Sequence, residues 1–246
     1  MESSTVWTPY CGSAPDPAAI WGRWNRDPVL LIGLALLGAA LAFGLRGAGW
    51  KRQAAAALAV VALFVSFVSP LCALSSALFT ARTLHHLLLM LVAAPLLALA
   101  LPRVAKPRLW TTVLLQTAVL WAWHAPAAYG WALSNDGAYW LMQASILGAG
   151  LAFWASVRAS RAPAAVAALL VAMVQMGLLG AIITFAVDPL YAPHFASTLA
   201  WSLTPLEDQQ AAGLIMWAPA AAAYLAAALL VLGRMLGPDA SRARTA

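Results

Sequence analysis

Apolar stretches of about twenty residues recur along this chain almost from end to end, and each is long enough as a helix to cross a hydrocarbon layer of about 30 Å. Hydrocarbon offers no water to backbone N–H and C=O groups, so a crossing segment must be a helix or part of a closed barrel. The alternation that marks a barrel strand is absent here. Helical crossings are therefore expected near residues 28–45, 53–74, 80–101, 109–129, 138–157, 163–187 and 205–234. Only 9% of the 246 residues are charged, against about 25% in a soluble domain, which leaves no material for a separate water-soluble unit. The expected fold class is all-α: a polytopic bundle of about seven transmembrane helices over residues 28–234, with an external leader at 1–27 and a cytoplasmic tail at 235–246.

Charge sets the expected orientation, because Lys and Arg are retained on the cytoplasmic side. Arg46, Lys51 and Arg52 fall in the first loop, Arg103, Lys106 and Arg108 in the third, Arg158 and Arg161 in the fifth, and Arg234, Arg242 and Arg244 at the end. The other side holds Glu2, Asp16, Asp27, Asp136, Asp188, Glu207 and Asp208, offset by Arg23, Arg26 and Arg82. The N-terminus is expected outside and the C-terminus in the cytoplasm. Topology and contact with the anionic bilayer account for the formal charge of +6, and no nucleic-acid partner is implied. The first residues lack a basic n-region, so a cleaved signal peptide is not expected.

This topology places all four histidines in the outer half. His85 and His86 sit within two turns of the outer end of the third span, His124 near the outer end of the fourth, and His194 in the last external loop. Met90, Cys72 and Cys11 reach the same half. Imidazole and sulfur donors together suit copper, Cu(I) above all, whereas hard cations favour carboxylate oxygen. Ionisable residues inside spans are functional candidates, so the candidate metal ligands are His86, His124, Met90, His85, Cys11 and Cys72. A disulfide between the two cysteines, or an inert role for both, is the alternative. His86 and Met90, one turn apart, are expected to share a helix face, as are Arg82 and His86. For His194 a simple hydrogen bond is the favoured role.

Thr204-Pro205-Leu206-Glu207 has the pattern of a capped helix start, with Glu207 three residues after the cap. Glu207, Asp208 and Gln209 then form a polar first turn, and with Arg82 they are candidates for docking a partner or for supporting the ligands. The first six spans contain no Asp or Glu, which speaks against proton-coupled transport. No buried Lys for retinal and no nucleophilic triad is apparent, so no enzymatic role is expected.

Several segments carry a family resemblance. Ala77-Leu78-Phe79-Thr80-Ala81-Arg82-Thr83-Leu84-His85-His86 through Met90, with Ala94-Pro95-Leu96-Leu97, resembles the third-helix signature of the seven-helix cytochrome c oxidase assembly factors called CtaG. Trp121-Ala122-Trp123-His124-Ala125-Pro126 with Tyr129 resembles the fourth-helix signature, and Pro189-Leu190-Tyr191 with 206–219 resembles the last loop and helix. Tyr10-Cys11-Gly12 and Trp24-Asn25-Arg26-Asp27-Pro28 resemble the leader of the proteobacterial branch. The resemblance implies an assembly factor for a haem-copper oxidase in the bacterial inner membrane, acting in copper-centre formation. Its partners would be oxidase subunits and a periplasmic copper carrier. The rival classes are a copper or small-molecule transporter and a membrane subunit binding haem through two histidines.

Overall fold

The computed structural model describes residues 7–102 and 108–236, and among these it contains helices and no strands. Glu2, Arg103, Lys106, Arg242, Arg244 and most of the tail lie outside the described residues. The helices are α1 (Pro28–Gly44), α2 (Trp50–Phe67), α3 (Pro70–Ala77) and α4 (Phe79–Leu87). A π-helical turn, Leu88–Ala93, joins α4 to α5 (Ala94–Ala100). There follow α6 (Leu109–His124), α7 (Pro126–Ser134), α8 (Asp136–Ala159), α9 (Ala162–Thr184) and α10 (Pro205–Ile215), the last joined through a second π turn, Met216–Ala220, to α11 (Ala221–Leu236).

Five stretches among the described residues are long and apolar enough to cross a membrane: Trp50–Phe67, Phe79–Ala100, Asp136–Ala159, Ala162–Thr184 and Pro205–Leu236. The chain is a multi-pass membrane protein. α1 is apolar but shorter at 17 residues, and α6 has 16.

Proline sets many of the boundaries. It lacks an N–H and pushes the preceding residue out of helical geometry, so it starts helices well and continues them poorly. The expected crossings at 53–74 and 109–129 are each divided for this reason. Ser69 is extended before Pro70 and caps Leu71 N, while Ala125 is extended before Pro126. The π turns have the same origin: Pro95 follows the first and Pro219 lies inside the second. A carbonyl deprived of its proline partner is reached by a later N–H through a wider turn.

The bundle has two polar ends. At one, Arg52 Nε donates to Ala100 O at 2.9 Å, so the first loop lies beside the end of α5, as the shared basic character of those loops implies. At the other end the leader folds back onto the bundle. Asn25 N donates to Val68 O at 2.9 Å, Trp201 Nε1 donates to Pro15 O at 3.1 Å, and the Tyr10 hydroxyl donates to Asp27, whose other oxygen caps α1 through Val29 N. Cys11 and Cys72 form a disulfide that fastens the leader to α3.

α9 and α10 meet backbone to backbone. A Cβ placed on Gly180 would sit 2.6 Å from Trp217 N and 2.7 Å from Gly213 O, so only glycine permits the approach.

Candidate functional site: a buried histidine cluster

α4 begins at Phe79 on a cap supplied from the far end of the sequence. Asp208 of α10 accepts from Phe79 N at 2.6 Å and from Thr80 N at 3.1 Å, and its backbone carbonyl accepts from Thr80 Oγ1 at 2.8 Å. A carboxylate at a helix N-terminus satisfies amides that have no partner within the helix and complements the helix dipole. Gln209, beside it, accepts from Leu190 N at 2.6 Å and donates to Ile183 O at 3.3 Å, which pins the loop after α9. Both side chains are buried, so they position the site from behind and present no docking surface. Glu207 forms the expected capping box with Thr204.

Anchored in this way, α4 carries Arg82, His85 and His86 into the interior, all three at most 2% exposed. The His86 ring lies 5.9 Å from that of His124 and 6.0 Å from that of His85, edge to face in both cases. His124 is the last residue of α6, where the break before Pro126 exposes its outer side to the cluster. Its Nδ1 contacts Leu120 O at 2.7 Å, and since a carbonyl only accepts, Nδ1 carries the proton and Nε2 keeps its lone pair. Neither nitrogen of His85 or of His86 has a hydrogen-bond partner. Four unpartnered imidazole nitrogens in a buried space are exceptional, since buried polar atoms almost always find partners.

His194 completes the group from the loop between α9 and α10. Its Nε2 meets the Tyr129 hydroxyl at 2.6 Å, and burial, with the Arg82 charge second, holds its pKa down at about 3. The expected simple hydrogen bond is thus present. Phe79 sits among these residues, stacked 3.7 Å from Tyr191 and edge-on to Tyr129, while Tyr191 donates to His124 O at 2.9 Å. Phe79, Tyr129 and Tyr191 were visible in the sequence only as parts of the segments that carry the resemblance.

Arg82 is the outlier. It is fully buried, its guanidinium lies 5.3 Å from the centre of the Tyr139 ring, and none of its nitrogens has a hydrogen-bond partner. A positive charge therefore stands beside the imidazoles with the nearest buried carboxylate, Asp208, engaged in capping.

One expectation about ligands is corrected. Cys11 and Cys72 hold each other in the disulfide, so neither offers a thiolate to a metal. Met90 lies within the π turn that starts at Leu88 and packs against α8, its Cα and Cγ 3.6 and 3.9 Å from where a Cβ on Gly150 would stand. Among the described residues no three His, Cys, Asp or Glu side chains are grouped as a metal site. What the structure brings together is the pair His86 and His124, with His85 one ring behind.

A helical membrane protein with a buried imidazole cluster near one polar end is the class that fold and site define. Residues 31–112 and 104–237 match the profile of the cytochrome c oxidase caa3 assembly factors (Caa3_CtaG), and the chain belongs to that family. No curated protein and no solved structure matches it.

Proposed function

We propose that this assembly factor acts in forming the copper centres of its oxidase, taking Cu(I) as cargo between His86 and His124 at the periplasmic end of a seven-crossing bundle in the bacterial inner membrane. The role is non-catalytic. The reading adds α1 and α6 to the five long crossings and sets the leader outside, as the basic loops imply.

The observation that carries it is the pair of facing imidazoles, one with its tautomer fixed and the other with both nitrogens unpartnered. Two imidazole nitrogens across a linear ion stand about 4 Å apart, twice a metal–imidazole bond of about 2 Å. Rings with centres 5.9 Å apart need only rotate to meet that requirement. The Nδ1–H of His124 bound to a carbonyl is the arrangement that orients metal-binding histidines generally. The neighbouring Arg82 charge weakens retention of a cation, which suits cargo that must be handed on from a carrier to an oxidase subunit.

Purified protein should bind one Cu(I) in competition with a chromogenic chelator, and His86→Ala or His124→Ala should each abolish it. In cells lacking the protein, the oxidase should retain haem bands and lose copper. Binding that survives both substitutions, or a normal copper content after deletion, refutes the reading.

A further inference from the structure

On the lipid-facing side of the bundle, α1 stands off from α2 and α8 and leaves a groove of about 370 Å³. Val29, Leu30, Leu34, Leu37, Leu63 and Leu147 supply its hydrocarbon walls. Phe67 and Trp140 line it too, stacked on one another with ring centres 5.4 Å apart. One strongly polar side chain reaches the groove below its rim: Gln143, 2% exposed, with neither its amide nitrogen nor its amide oxygen hydrogen-bonded. Among the described residues no cation lines the groove, and the only charge there is Asp27 at the rim, already engaged by Tyr10 and Val29 N.

Each of these features narrows the occupant. A buried amide without partners costs free energy unless a ligand group completes it. Acyl chains of phospholipid fill apolar walls but bring no polar group to that depth. The one charge among the described lining residues is the Asp27 carboxylate, which disfavours an anionic head, and the aromatic pair favours a flat ring. The volume is at the small end of ligand sites.

We propose that this groove binds an isoprenoid quinone: the carbonyl accepts from Gln143 Nε2, the ring lies against Trp140 and Phe67, and the tail runs along α1 toward the bilayer. Phe67 also touches the His85 ring edge-on at 5.0 Å, so the occupant is one aromatic layer from the histidine cluster.

The test uses the full chain in quinone-free phospholipid nanodiscs, labelled with a photoreactive benzoquinone bearing a ten-carbon tail and mapped by mass spectrometry. Labelling concentrates on α1, α2 and α8 and is removed by excess unlabelled decyl-benzoquinone. Gln143→Leu reduces the competed labelling about tenfold. Gly33 lines the groove with nothing near its missing Cβ, so Gly33→Leu fills the space without touching Gln143 and removes the labelling while leaving the thermal midpoint intact. Labelling spread over all lipid-facing helices overturns the proposal. So does equal competition by a ten-carbon tail without carbonyls, which would leave lipid chains as the occupant.

Discussion

Replacing Arg82 by methionine is expected to tighten Cu(I) binding. Arg82 and His86 are one helical turn apart on α4, a spacing that places side chains on neighbouring ground. Two unit charges about 7 Å apart repel by roughly 2.4 kcal/mol at an effective dielectric constant of about 20, which corresponds to roughly fiftyfold in affinity. None of the guanidinium nitrogens makes a well-formed hydrogen bond, and the polar groups it lies near are the Tyr129 and Tyr139 hydroxyls. An isolated buried charge is costly to keep, so its removal should leave stability unchanged or raised. Competition against a Cu(I) chelator in detergent should therefore show Arg82→Met binding about fiftyfold more tightly, with an unchanged or raised thermal midpoint. Arg82→Lys, which keeps the charge, should stay within about threefold of the native protein. Oxidase assembly in cells carrying Arg82→Met should slow despite the tighter binding, because the cargo leaves more slowly. An affinity for Arg82→Met equal to or below the native value would show that the charge is not felt where copper binds.

Asp208→Ala removes a charged cap from α4 and should cost about 2 kcal/mol, read as a lowered midpoint, whereas Asp208→Asn retains one acceptor and should cost less. His194 is held neutral in the fold with its pKa near 3, against 6.5 as the ordinary value, so its contribution to stability is complete above pH 6.5. That contribution falls as the pH drops toward 3, by at most about 5 kcal/mol. His194→Gln should flatten the acid limb of a midpoint-versus-pH curve, and an unchanged limb would assign the sensitivity elsewhere. The disulfide closes a sequence separation of 61 residues. Cys11→Ser should therefore cost up to about 4 kcal/mol and make the leader susceptible to protease, and a leader equally protected without it would show that the hydrogen bonds suffice.

Five of the expected crossings were legible because hydropathy and length act locally. The same holds for the capping box at Thr204 and Glu207 and for the grouping of histidines toward one end. Two spans were overextended because Pro70 and Pro126 interrupt apolar runs without any change in hydropathy. Asp208 reads in sequence as a surface residue of a first turn; its contact with Phe79, 129 residues away, depends on how α4 and α10 pack. The lack of partners around Arg82, His85, His86 and Gln143 is a property of three-dimensional neighbourhoods, and no pattern along the chain encodes it.

The cap that starts α4 has a consequence for biogenesis. A ribosome delivers α4 to the bilayer more than a hundred residues before it makes Asp208, and Tyr191 and His194 also arrive late. Until the final helix inserts, the amides at Phe79 and Thr80 lack their acceptor and the aromatic shelf behind the imidazoles is missing. A polypeptide that stops short of Asp208 lacks the cap that starts α4, so the surroundings of His86 and His124 are complete only once α10 has been made.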